Sequence, residues 1–261
     1  MPRVALAVEY DGAPYHGWQR QLGQATVQGA VEEALSKVAA QPVEVVCAGR
    51  TDAGVHALGQ TIHFDCEVVR PPHAWVRGGN TGLPPSVRLL WAQEVPESFH
   101  ARFTAIARSY RYLIFNRAIA PATLKGKVSW EYRPLAVEPM AQAAKALLGR
   151  HDFSAFRDAQ CQAKSPVREI TELRVTRHSP HLLQIDVTAN AFLHHMVRNI
   201  AGVLIAIGRG ERPVGWAAEV LAGRKRALGG VTASPDGLYL VAAHYPQEFV
   251  LPEVPQAAWV W

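Results

Sequence analysis

The chain has 261 residues, 49% of them hydrophobic and 19% charged; this excludes a disordered protein and suffices for one large domain or two small ones. A formal charge of +5, from 27 Lys+Arg against 22 Asp+Glu, permits a polyanionic partner without requiring one. Three cysteines, Cys47, Cys66 and Cys161, odd in number and far apart, point to buried thiols in a reducing compartment; no leader-like segment or membrane-length apolar run is seen, so the expectation is a cytoplasmic protein outside the membrane.

In chain order, RVALAVEYDG reads as a strand ending in a turn, followed by the loop APYHGWQRQLGQA. A helix is expected over residues 27–39, where Val27, Ala30, Val31, Ala34, Leu35 and Val38 keep the helical period and Thr26 suits the N-cap. VEVVCAG and QTIHFDC read as strands, PHAWVRGGNTG as a short helix, and VRLLWAQEV as a further strand. Alternation in ARSYRYLIFN puts Arg108, Tyr110, Tyr112 and Ile114 on one face. AVEPMAQAAKALLG is expected as a helix stopped by Gly149, and REITELRVTRH with HLLQIDVTAN as a hairpin around Ser179 and Pro180. Helices at about 193–207 and 214–222 and the strand GLYLVAAHY complete the pattern. Strands and helices in mixed order favour α+β layers over a doubly wound parallel sheet. The boundaries read as an N-terminal half, 1–104, a C-terminal half, 105–246, and a tail, 247–261. The halves look like variations on one plan, without a residue-level repeat.

Three stretches carry chemistry-bearing residues. AGRTDAGVHA holds Arg50 and Asp52 in good turn chemistry, because Asp bonds backbone two residues on and Gly supplies positive φ. YDGAPYHGWQRQ interleaves Tyr15, His16 and Trp18 with Arg20, which suits base stacking and phosphate contact as well as plain core packing. On the long helix, Met196, Val197, Ile200, Val203, Leu204 and Ile207 form the apolar face. His195, Arg198, Asn199 and Gly202 fall on the other, which has one charge and a glycine and reads as a surface closely approached.

Other chemistries find little support. Cys47, His56, His63 and Cys66 lack metal-ligand spacing, and the adjacent His194 and His195 would point apart on a helix, so no metal is expected. GxSxG, GxxxxGK[ST] and GxGxxG are missing, which argues against a serine nucleophile and a nucleotide cofactor. A glycosidase would want two flanking carboxylates, and the turn offers one.

AGRTDAGVHA resembles the signature of the TruA family of tRNA pseudouridine synthases, in which the aspartate is catalytic. Five further stretches resemble that family in order: YDGAPYHGWQRQ, ARSYRY, HDFSAFRDAQCQAKSPVR, FLHHMVRNIAGVL and PDGLYL. Val231 stands where the family more usually has proline, and the stretch after Pro246 matches no family motif. The resemblance implies two RRM-like or ferredoxin-like α/β halves in a pseudo-twofold arrangement around a central basic cleft. It implies a homodimer that binds tRNA and isomerises uridine to pseudouridine in the anticodon stem-loop, at positions 38, 39 and 40 in tRNA numbering, with no cofactor and no metal.

By the same resemblance Asp52 is the catalytic residue, acting as nucleophile at C1′ or by removing a ribose proton to give a glycal. Arg198 supports Asp52 as its ion-pair partner, and Arg50 fills the space left by the flipped base. Tyr110 stacks on the flipped uracil, and Leu238 forms the apolar wall beneath it. Two rivals remain at this stage, one from another class and one a second enzyme. A non-catalytic RNA-binding protein would have no use for a carboxylate that repels phosphate. A nucleosidase or phosphoribosyl enzyme would want a phosphate loop or a second acid.

Overall fold

The computed structural model describes residues 1–254, so residues 255–261 of the expected tail lie outside the described residues. The chain is α+β and divides into two compact units, Met1–Ile106 together with the chain from Tyr239 onward, and Ala107–Leu238.

The first unit opens with β1 (Arg3–Tyr10), α1 (Val27–Ala39), β2 (Val46–Cys47), β3 (His56–Asp65), α2 (Pro72–Gly82) and β4 (Val87–Val95). β1 lies between β4 and β3, antiparallel to both, and β2 pairs with β3. Thr26 caps α1 by accepting the Gly29 N–H at 3.3 Å, as the N-cap pattern requires. Ala5 and Leu6 point to opposite faces of β1, yet both are fully buried, so this sheet is covered on both sides. One cover includes Trp75 of α2, whose ring meets Phe64 of β3 edge-on at 5.0 Å. The other gathers Ala5, Val95, Phe99, Ala101 and Phe249.

VEVVCAG yields only the two-residue β2 rather than a full strand. Side chains of α1 take the backbone donors that a ladder would use: Val43 N–H donates to Ser36 Oγ at 2.9 Å and Val45 N–H to the buried Glu32 Oε1 at 3.0 Å.

The second unit comprises β5 (Ala107–Asn116), β6 (Ser129–Glu131), α3 (Val137–Ala144), β7 (Gly149–Asp152), β8 (Val167–Ser179), β9 (Leu182–Ala189), α4 (Met196–Gly208) and α5 (Trp216–Gly223). Its strands run β5-β9-β8-β7, all antiparallel, with β6 parallel on β5. The expected hairpin is β8–β9, turning at Pro180 and His181. The helix expected over residues 136–149 tightens into a 3₁₀ turn after Ala144, and Gly149, at φ +91°, starts β7. α4 begins three residues later than its apolar period suggests, because His195 adopts the left-handed conformation at φ 60°. The closing strand β10 (Leu238–His244) returns the chain to the first unit, pairing in parallel with β3 at Tyr239↔His56 and Leu240↔Ala57. No helix among the described residues is long and apolar enough to cross a membrane.

Candidate active site

Asp52 lies in the turn between β2 and β3, half-buried, with Thr51 and Val55 buried on either side and Arg50 exposed. The turn closes locally through Val55 N–H on Asp52 O at 3.1 Å. A second loop, residues 10–18, then clamps it from outside. Trp18 N–H donates to Thr51 O at 3.0 Å, Gly54 N–H to Tyr15 O at 3.4 Å, and the hydroxyls of Tyr10 and Thr51 bond at 2.7 Å within the core.

Backbone meets backbone at this clamp. A Cβ on Gly12 would lie 1.9 Å from Val55 O, and one on Gly17, which sits at φ +89°, would lie 2.8 Å from Thr51 O. Gly12 N–H donates to His56 Nδ1 at 3.0 Å, and the His56 ring stacks on Tyr239 with centres 4.5 Å apart. On the upstream side the Gln60 amide brackets Gly49, accepting its N–H at 3.3 Å and donating to its carbonyl.

This arrangement decides between the two readings of YDGAPYHGWQRQ in favour of core packing for its aromatic rings. Trp18 is 1% exposed, and the buried Tyr15 bonds Ser86 Oγ through its hydroxyl at 2.8 Å. Both rings pack as core beneath the loop that holds Asp52, whereas His16 and Arg20 face solvent, and Arg20 pairs with Glu32 at 3.1 Å. Burial pushes the Cys47 thiol up to about 12, which leaves it protonated and unreactive at neutral pH.

The remaining expected site residues belong to the second unit. Tyr110 sits opposite Val187 of β9, 9% exposed, with its ring edge-to-face against Phe192 at 4.9 Å and 79°. Two positions on, Tyr112 is fully buried and donates to Ser234 O at 2.8 Å, and burial pushes its hydroxyl well above the usual tyrosine range. The same face of β5 thus passes from core tyrosine to a tyrosine at the edge of the core.

The polar side of α4 is closely approached, and what approaches it is the chain's own segment 231–234. Gly202 receives Val231 O at 1.9 Å from where a Cβ would stand. Arg198 Nε donates to Ala233 O at 2.8 Å, and Ala233 N–H donates back to Arg198 O at 3.1 Å. Asn199, 2% exposed, donates to Phe156 O at 2.8 Å and accepts from Thr232 Oγ1 at 2.7 Å and Arg226 Nη2 at 3.0 Å. The segment runs through the 3₁₀ turn Pro235–Gly237 into the buried Leu238. Arg198 and Leu238 are therefore joined by one short, pinned stretch of backbone.

His194 and His195 do not point apart. With His195 left-handed ahead of α4, the two rings stack at 4.0 Å and both turn toward Asp158: Nδ1 of His195 lies 2.9 Å from Oδ2 and Nδ1 of His194 lies 3.5 Å from Oδ1. The Gln160 backbone N–H, then His195, hold the Asp158 carboxyl below its usual range. This cluster was not foreseen; no sequence rule announces a left-handed histidine at a helix start.

The model of the family described as tRNA pseudouridine synthase matches residues 6–104 and 143–246. A protein of Nitrosococcus oceani named tRNA pseudouridine synthase A is 58% identical over 259 residues, covering 99% of this chain and 100% of that one. Proteins of the same name are 55% identical over 260 residues in Legionella pneumophila strain Paris, covering 99% of each chain, and 58% identical over 252 residues in Pseudomonas aeruginosa, covering 96% of this chain and 88% of that one. Matched along nearly its whole length, the chain belongs to the tRNA pseudouridine synthase family.

Proposed function

We propose that this protein isomerises uridine to pseudouridine at one or more of positions 38, 39 and 40 of the tRNA anticodon stem-loop, with Asp52 as its one catalytic carboxylate. The isomerisation of uridine in tRNA is the activity of the family to which the chain belongs. The reaction breaks N1–C1′, turns the uracil, joins C5 to C1′, moves the C5 proton off the ring and leaves a proton on N1. Nothing is oxidised and no group is lost, so the atoms balance without a co-reactant. Asp52 attacks C1′ as nucleophile, or removes a ribose proton to give a glycal; both routes need the same carboxylate in the same place.

The observation that carries this reading is the clamp on the Asp52 turn. Two glycine contacts and the Tyr10–Thr51 bond hold a half-buried acid on rigid backbone, which is the preorganisation that catalysis of an aligned displacement needs. In the same reading the exposed Arg50 occupies the gap left when the target base flips from its stack, Tyr110 stacks on the flipped uracil, Leu238 walls it from below, and Arg198 is the cation that supports Asp52. The two units are RRM-like halves in a pseudo-twofold arrangement around a basic cleft, and the protein works as a cytoplasmic homodimer.

Asp52→Asn tests the proposal, since it keeps the shape of the turn and removes the charge. The variant should remain folded and bind unmodified tRNA at least as well as the parent, because a carboxylate among phosphates is unfavourable. Tritium release from C5-labelled tRNA in a single turnover should vanish; substantial release by the folded variant would remove Asp52 from the chemistry.

A further inference from the structure

Beyond the Asp52 turn, the first unit presents a second feature that nothing above employs. In the segment FHARFTAI, Phe103 is 75% exposed. A lone exposed apolar side chain is ordinary and by itself means nothing. This one is held with unusual firmness. The His100 ring lies flat against it, with centres 4.3 Å apart and planes 26° from parallel, and the Arg102 guanidinium sits 5.5 Å from its centre.

The backbone beneath is equally fixed. Arg102 and Phe103 N–H groups both donate to His100 Nδ1, at 3.2 and 3.1 Å. Thr104 closes the turn by donating from N–H and Oγ1 to His100 O at 3.0 and 2.7 Å and accepting the His100 N–H at 3.1 Å. An imidazole that accepts two N–H donors at Nδ1 is neutral, so the stack is an uncharged π column beside one cation.

The turn is also tied to the strand that leads into Asp52. Ala101 N–H donates to Nδ1 of the buried His63 at 3.1 Å, and His63 pairs with Val46 of β2, next to Cys47↔Ile62. Arg102 and Arg50 both lie near enough to Cys47 for their charges to act on its buried thiol. A firmly held, largely exposed aromatic ring, a guanidinium over it and a second arginine nearby match the chemistry of a nucleotide: a base to stack and a phosphate to hold.

We propose that Phe103 and Arg102 form a nucleotide subsite separate from the reacting one, where Phe103 stacks an unpaired base of the tRNA and Arg102 holds a backbone phosphate. The subsite rests on the reading that the protein acts on tRNA. It adds a specificity determinant, because a bound RNA must offer an unstacked base at this distance from the target uridine. A second copy of this chain is the less favoured occupant, since it would bring like-charged arginines toward one another.

The test couples variants of the protein to abasic substitutions scanned one at a time through unmodified tRNA. Phe103 is exposed, so Phe103→Ala should fold normally. It should weaken tRNA binding, measured by fluorescence anisotropy, about tenfold, whereas Phe103→Trp should stay within about twofold of the parent. One abasic position should cost the parent the same tenfold and cost Phe103→Ala nothing. Arg102→Ala should lower the slope of log Kd against log salt by about one.

Binding by Phe103→Ala within twofold of the parent, or the lack of any abasic position coupled to Phe103, would overturn the subsite. So would unchanged RNA binding with a smaller species in sedimentation, which would mark Phe103 as a protein contact. Phe103-coupled binding by a parent protein that fails to isomerise tRNA would support the subsite and defeat the assigned activity, which keeps the two readings apart.

Discussion

Gly12→Ala should separate folding from catalysis. The added Cβ would lie 1.9 Å from Val55 O, where real contacts are essentially never below 3.0 Å, so the two backbones must part by more than 1 Å. Gly12 also donates to His56, which is stacked on Tyr239, so the easier movement is in the exposed half of the turn around Asp52. A displacement of about 1 Å at a reacting group costs on the order of 100-fold, or about 2.7 kcal/mol of barrier. The expected result is a fall in kcat/KM of about 100-fold for tritium release from C5-labelled tRNA, with tRNA affinity within about threefold. Gly17→Ala should behave similarly: its Cβ would meet Thr51 O at 2.8 Å, and φ +89° adds about 1–2 kcal/mol of backbone strain. Gly23→Ala is the control, because that residue, in the same loop, has φ +73° but nothing within 4 Å. It should lose about 1 kcal/mol of stability and keep turnover within about twofold. Full activity in folded Gly12→Ala would refute the argument that the clamp positions the acid. A loss in Gly23→Ala equal to that in Gly12→Ala would reduce the effect to general destabilisation.

Three further outcomes follow from single contacts. Tyr110→Phe keeps the ring against Phe192 and loses the hydroxyl, so tRNA binding should persist while single-turnover isomerisation drops at least about tenfold; an unchanged rate would leave stacking as that residue's whole role. Asn199→Ala strands the Phe156 carbonyl and the Arg226 and Thr232 donors and should cost about 3 kcal/mol in urea unfolding, and a loss under 1 kcal/mol would show that the network does not hold segment 231–234 to α4. Burial first, then repulsion from His100 once it is protonated in acid and from Arg3, lowers His63 to about 4, while the unfolded chain titrates near 6.5. The unfolded state therefore binds more protons between these values: the His63 contribution is fully present above about pH 6.5 and declines by about 3 kcal/mol as pH falls to about 4. His63→Gln should flatten this decline, and unfolding curves at neutral pH and near pH 4.5 that keep the parental difference would exclude His63 as its source.

Periodicity located most of the framework. α1, β4, β5 and the β8–β9 hairpin fall where apolar spacing and turn residues put them, and the weakly patterned α2 forms where expected, burying Trp75 and Gly79. The misses have a common cause: a partner distant in sequence satisfied groups that local rules assign elsewhere. VEVVCAG has strand composition, but Ser36 and Glu32 of α1 take its N–H groups. Trp18 and Tyr15 have the composition of a stacking loop, but Thr51 and Ser86 draw that loop inward. The three residues missing from the start of α4 reflect a left-handed His195 facing Asp158, a contact across 37 positions.

The site was legible in a different way. A turn that presents an acid is visible locally in AGRTDAGVHA, yet a local turn alone is too soft for the alignment with a sugar carbon that the proposed role of Asp52 requires. What stiffens it is the close seating of Gly12 and Gly17 on residues 51–55, and a glycine chosen for close approach looks in sequence like a glycine chosen for flexibility. The same ambiguity governs Gly202, which read correctly as a place of close approach but left open what approaches. There the chain itself fills the space, laying segment 231–234 on α4 so that Arg198 and Leu238 are set by the same backbone. In both places long-range backbone contacts made by small residues supply the rigidity that the proposed site requires.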